Sequence, residues 1–141
     1  VKYKETYKDL FTVDSSYYLV HCIASDFHMG AGIAVLFQKK FSLRNKLKNS
    51  IIIDEPGSCI LIGRVFNLIT KRRSSGKPTY DTLRASLEKM RNICEWQNIN
   101  KIAMPKIGCG LDRLQWGKVS EMIKEIFNDT SVEILVCKWK G

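Results

Sequence analysis

Two short segments, Met29-Gly30-Ala31-Gly32 and Gly108-Cys109-Gly110, are the places in this chain where backbone chemistry is easiest to foresee. Glycine lets the backbone turn sharply and approach a ligand closely, and a helix that starts just after such a turn offers unpaired N–H groups to a phosphate. Each segment follows a run suited to a strand. In a largely parallel sheet both loops would then lie at the carboxyl ends of their strands, where ligands of such sheets bind. Placed alike, they are suited to holding the two phosphates of a pyrophosphate from opposite sides. Neither is a full dinucleotide fingerprint or a Gly-x-x-x-x-Gly-Lys-Ser/Thr loop, and a purely conformational turn is the competing account of either one alone. Lys71, just past the run ending at Thr70, and Asp112, just past the second glycine loop, add a cation and a carboxylate able to converge on whatever the loops hold. Taken singly, each is also an ordinary surface charge.

The other reactive side chains point elsewhere. Cys22, Cys59, Cys94, Cys109 and Cys137 are odd in number and scattered, with no C-x-x-C pair and no histidine at zinc spacing. They read as free thiols of a reducing compartment, and neither a metal nor another cofactor is expected. Cys109 sits between two glycines, but with no histidine near it in sequence it reads as a small loop residue, not a nucleophile. His21 stands in an apolar run at a strand end, the setting of a packed or backbone-bonded imidazole. With 23 Lys plus Arg against 14 Asp plus Glu the formal charge is +9, which favours an anionic partner, nucleic acid or a phosphorylated small molecule; solubility is the plainer explanation of the same excess. Lys39, Lys40, Arg44, Lys46, Lys48, Lys71, Arg72, Arg73 and Lys77 supply enough charge for a phosphate-binding face. A recognised RNA module is absent, so any RNA binding is expected to be weak, salt-dependent and nonspecific.

Positioning these residues requires a single domain, the expectation for 141 residues of which 45% are hydrophobic. No run approaches the roughly 20 apolar residues of a bilayer span, and Val1 to Asp9 show no apolar core with a cleavage site, so a soluble protein without membrane contact or secretory signal is expected. Tyr17 to Cys22 suit a strand covered on both faces. Ile33, Phe37 and Phe41 recur at helical spacing after the first glycine loop, and Ser42 to Ser50 suggest a short helix and a connection. Ser58–Ile62 and Val65–Thr70 predict a hairpin turning at Gly63-Arg64, announced by Pro56-Gly57, which makes the sheet mixed. Thr79 can cap a helix carrying Tyr80, Leu83, Leu87, Met90 and Cys94 on one stripe. Lys101 to Met104 form a short strand closed by Pro105; Trp116, Val119, Ile123 and Ile126 mark another helix; Val132, Ile134 and Val136 alternate as a last strand. Strands alternating with helices predict an α/β domain with three layers, α/β/α, around a mixed central sheet.

Several ordered blocks resemble a known family. His21-Cys22-Ile23, Met29 to Phe37, Leu68-Ile69-Thr70-Lys71, Lys77-Pro78-Thr79-Tyr80 and Met104 to Trp116 look like those of macrodomains of the terminal ADP-ribose protein glycohydrolase branch, and the similarity spans nearly the whole chain. The resemblance implies a macrodomain that removes ADP-ribose from glutamate or aspartate esters of mono- or poly-ADP-ribosylated proteins and deacetylates O-acetyl-ADP-ribose. It implies that Lys71 attacks the distal ribose and that Asp112 does the acid–base work resolving the adduct. The attack needs a neutral amine, which Arg72 and Arg73 would favour if they faced inward. It further implies that Asp9 receives the adenine amino group, in isolation only a surface turn, and that Asp26 shapes the distal ribose side. Leu10, His21, Met29, Gly30, Ala31, Gly32, Ile33, Thr70, Pro105, Ile107, Gly108, Cys109, Gly110 and Leu111 are the remaining substrate-binding positions it implies. Ala24 and His28 depart from the serine and arginine of that branch. Trp116 and Tyr80 read as helix-to-sheet packing, and Trp139 as stacking on a base or covering the sheet edge. A monomer resident in the nucleus, including nucleolus and nucleoplasm, with a cytoplasmic pool, completes the expectation. A reader that binds ADP-ribose or poly(ADP-ribose) without cleaving it is the alternative.

Overall fold

A computed structural model describes residues 1–50, 54–110 and 112–138. Leu111 and Trp139 lie outside the described residues. In chain order the elements are β1 (Lys2–Tyr7), a 3-10 turn (Leu10–Thr12), β2 (Tyr18–Ala24), α1 (Ile33–Phe41), α2 (Leu43–Lys48), β3 (Ser58–Ile62), β4 (Val65–Lys71), α3 (Tyr80–Gln97), β5 (Lys101–Met104), α4 (Trp116–Ile126) and β6 (Glu133–Lys138). The strands form one sheet in the order β1-β6-β5-β2-β4-β3. All neighbours are parallel except β3, which runs antiparallel to β4 across the expected Gly63-Arg64 turn.

Helices cover both faces because the strand patterns require it. Leu19 and Ile23 of β2 and Ile69 of β4 are buried with Phe37, Leu43 and Leu47 of α1 and α2. Val20, Phe66, Leu68, Ile102 and Val136 are buried on the opposite face with Leu83, Leu87 and Met90 of α3 and Val119 and Ile123 of α4. Each such side chain removed from water contributes about 1.5–3 kcal/mol, which fixes which face of each strand meets which helix pair. Thr79 caps α3 as expected, accepting from the Thr82 N–H at 3.1 Å while the Thr82 hydroxyl accepts from the Thr79 N–H at 3.1 Å. No helix among the described residues is long and apolar enough to cross a membrane.

One element escapes the sequence patterns. Lys2 to Tyr7 hold three charged residues among six, too polar to stand out as a strand, yet they pair in full with β6, from Lys2 opposite Glu133 to Tyr7 opposite Lys138. Glu5 ties this edge to the opposite end of the chain. Its carboxylate accepts from the Tyr3 hydroxyl at 2.6 Å and the Trp116 indole N–H at 3.0 Å. Trp116 therefore does sit between helix and sheet, and the Tyr80 hydroxyl accepts from the Gln115 N–H at 3.0 Å on the same side.

Candidate functional site

Five parallel strands end on one side of the sheet, and their ends wall a single cavity of about 820 Å³, within the range of small-ligand sites. β1 runs into Tyr7, Lys8, Asp9, Leu10 and Phe11, and β6 adds Cys137 and Lys138. β5 leads into Pro105, Ile107, Gly108, Cys109, Gly110 and Asp112. β2 supplies Cys22, Ile23 and Ala24, followed by Met29, Gly30, Ala31, Gly32 and Ile33, while β4 delivers Lys71. β2 and β5 are direct neighbours, so the two glycine loops that follow them are brought to one mouth by the sheet itself.

The first loop is wound tightly. Phe27 and Met29 have φ of 54° and 48°, and Gly32 has φ 62° and ψ −152°, a conformation open almost only to glycine. α1 then starts without a side chain capping its first N–H groups, which leaves them to a ligand. Arg44 secures the loop from α2 by donating to the carbonyls of Phe27 and His28. The His28 imidazole lies against Gly30, where an added Cβ would stand 2.7 Å from the ring. Ala24 lines the cavity wall.

In the second loop Gly108 has φ 74°, its carbonyl accepts from the Leu114 N–H at 2.7 Å, and a Cβ there would meet the Leu114 side chain at 3.0 Å. Gly108→Ala should therefore cost roughly 1–2 kcal/mol in urea unfolding. A variant with the wild-type midpoint would show that this turn tolerates a side chain after all.

In the cavity wall, Lys71 Nζ and Asp112 Oδ1 are 2.7 Å apart, each side chain only 15% exposed. The register between β2 and β4 slips after Ile23 so that Ala24 pairs with Lys71, and this irregularity sets Lys71 at the cavity wall. Two thiols border the pair. Burial, and secondarily the Asp112 charge, push the Cys22 thiol well up, and burial pushes Cys109 up to about 11. Cys109 donates to the Ile107 carbonyl at 3.3 Å. Both stay protonated at neutral pH, so neither thiol is a ready nucleophile beside the Lys71–Asp112 pair. Asp9 caps the 3-10 turn by accepting from the Phe11 N–H at 3.0 Å, and also faces the cavity.

Three expected positions lie off the cavity. His21 is fully buried behind it, stacked on Phe37 with ring centres 4.0 Å apart and Nε2 2.6 Å from Asn67 Oδ1. Its place among ligand contacts is thus corrected: in β2 its side chain points into the α1 face of the core, as its apolar surroundings in sequence suggested. Thr70 likewise turns away, into the wall of a smaller depression of about 370 Å³. Arg72 and Arg73 border that same depression and do not line the cavity. Asp26 acts at one remove: its carboxylate accepts from the Ser74 N–H and hydroxyl, both at 2.8 Å, and from the His28 N–H at 3.0 Å. Burial raises its pKa, but these hydrogen bonds outweigh it and hold the carboxyl below its ordinary value. Ser74 is thereby held at the cavity rim.

Tyr7, Lys8, Phe11, Cys22, Ser74, Lys77, Lys106, Cys137 and Lys138 line the cavity without having been expected there. For those after β1 the only signal was the period-two alternation around Tyr3, Glu5 and Tyr7, which charge obscured, whereas Cys137 and Lys138 continue the last strand that Val132, Ile134 and Val136 predicted.

Residues 20–123 match the family model for the Macro domain. The chain is 47% identical to the ADP-ribose glycohydrolase OARD1 of Bos taurus over 132 residues, 91% of this chain and 86% of that protein. Among solved structures, the macrodomain of Thermus aquaticus DarG superposes with a TM-score of 0.83 at 19% identity, covering 96% of this chain and 97% of that one. Thermosipho africanus DarTG in complex with ADP-ribose superposes with a TM-score of 0.82 at 18% identity, covering 97% of this chain and 41% of that one. With this sheet order, two glycine loops at neighbouring strand ends and a family match over most of its length, the chain belongs to the macrodomain family.

Proposed function

We propose that this macrodomain is a hydrolase that releases ADP-ribose from glutamate and aspartate esters on modified proteins, and that it also deacetylates O-acetyl-ADP-ribose. The observation that carries the reading is the Lys71–Asp112 contact of 2.7 Å in the cavity wall. The activity in the name of the cattle relative and the ADP-ribose in the DarTG complex support the ligand. Pyrophosphate lies between the loops, against the uncapped start of α1. Adenine lies toward Asp9, Leu10 and Phe11, after β1 at one end of the row of parallel strands, and the distal ribose at Lys71 on β4, at the other.

Asp112 is placed to take a proton from the Lys71 ammonium across their short contact. The neutral amine bonds to the anomeric carbon of the distal ribose as the bond from that carbon to the protein carboxylate breaks, and Asp112 passes the proton it took to the departing carboxylate. Asp112 then takes a proton from water as the water adds to the same carbon. The carbon–nitrogen bond breaks, the proton passes to the departing amine, and ADP-ribose leaves.

Incubating the chain with glutamate-ADP-ribosylated protein should release free ADP-ribose. Tight binding of ADP-ribose without any release would favour a reader instead. Asp9→Ala should weaken ADP-ribose binding by about 1–3 kcal/mol in calorimetry, the loss of a charged hydrogen bond. An unchanged affinity in the folded variant would remove Asp9 from adenine recognition. The +9 balance supports a secondary affinity for single-stranded RNA that weakens with salt; titrations that detect none at low salt would eliminate it. Nuclear residence and a monomeric state belong to the same proposal.

A further inference from the structure

We propose that the smaller depression beside Lys71 seats the acidic protein segment carrying the modified residue, and that Arg72 and Arg73 bind its carboxylates. This rests on Lys71 acting at a protein-linked ADP-ribose.

Lys71 and Lys77 line both the large cavity and the smaller depression, so the two spaces meet at the reacting amine. An ADP-ribosyl group filling the first leaves its protein on the other side of Lys71, and the second is the next space that touches this residue. Its walls include Lys71, Arg72, Arg73 and Lys77 and no aspartate or glutamate among the described residues. The Arg72 and Arg73 side chains are exposed and have no ion pair or hydrogen bond among the described residues. The loop carrying the arginines is held in place, with Ser74 bonded to Asp26 and the Gly76 N–H donating to the Arg73 carbonyl at 2.9 Å. At about 370 Å³ the depression is less than half the size of the cavity assigned to one ADP-ribose, so it suits acidic side chains better than a second nucleotide unit.

The test compares two peptides with the same ADP-ribosylated glutamate, flanked by glutamates or by glutamines, on wild type and on Arg72→Gln/Arg73→Gln. Wild type should show a KM roughly five- to tenfold lower for the acidic peptide, as expected of two exposed charge pairs, and the advantage should shrink as salt rises. The double variant should lose the advantage with kcat and free ADP-ribose affinity unchanged. Calorimetry with the same peptides decides the matter even if the chain cleaves neither, a result that would count against the proposed reaction and not against the docking site. Equal affinity of wild type for both peptides, or discrimination kept by the double variant, overturns the proposal. So does a double variant that loses affinity only for protein-free poly(ADP-ribose), which would assign the depression to phosphates.

Discussion

Lys71→Ala should lower release of ADP-ribose from glutamate esters by on the order of 10³-fold or more, because it removes the atom that forms the bond. Binding should stay close to wild type, since the glycine loops and the Asp9 region remain. Asp112→Ala should fail differently. Its lysine can still attack after losing its proton to solvent, but the proton transfers that discharge the adduct are missing, so turnover should fall by about 10²–10⁴-fold while enzyme mass rises by a covalently held ADP-ribose. Intact-protein mass spectrometry alongside product release separates the two. Each substitution leaves one charge of a partly buried pair unmatched, so thermal unfolding and ADP-ribose affinity must accompany the kinetics. A folded Lys71→Ala protein with ordinary turnover would end the nucleophile assignment, and an Asp112→Ala protein that stalls without any adduct would end the division of labour.

The second large effect lies in the core. The Asn67 amide N–H groups donate to the carbonyls of Ile60 and Val65, at 3.1 and 3.2 Å. Its oxygen must therefore accept, which places the proton of His21 on Nε2 and leaves Nδ1 bare; Nδ1 indeed has no partner. Burial holds the imidazole neutral and lowers its pKa from 6.5 to about 4, against a smaller opposing effect of the Asn67 hydrogen bond. Above about pH 6.5 the ring is neutral in both folded and unfolded chains and the full stability is present. As pH falls from there toward 4, the unfolded chain takes up a proton that the folded one refuses, so stability is lost. The loss totals about 3 kcal/mol, of which about 2 kcal/mol falls between pH 7 and 5. His21→Gln keeps an amide N–H for Asn67 but cannot titrate. It should be less stable than wild type at pH 7 and markedly flatter from pH 7 to 5 in urea unfolding. The lowered carboxyls of Glu5, Asp14, Asp26 and Asp129 act at lower pH and are common to both proteins. Parallel pH profiles for the two would exclude His21 as the source.

Much of this molecule is legible in the chain because burial leaves a local period. The stripe from Leu83 to Cys94, the alternation of Ile134 and Val136 and the turn glycines at Gly63 and Gly108 each report a short-range constraint, and each lies in the element it predicted. The glycine loops could be placed at strand ends for the same reason. Lys71 and Asp112 drew their roles from resemblance to a family, since a lysine and an aspartate 41 positions apart carry no local mark of being partners. Tertiary structure alone decided what meets what. β1 is a strand because β6, more than a hundred residues away, offers it a ladder, and only then do Tyr7 to Phe11 reach the cavity. Side-chain direction turned His21 and Thr70 away from the cavity while leaving Lys71 facing it, and Arg72 and Arg73 came to border the depression next door. Periodicity states which face of an element is buried; which strand ends share a mouth depends on crossover connections and register, and these are settled by long-range pairing and packing that no local window contains.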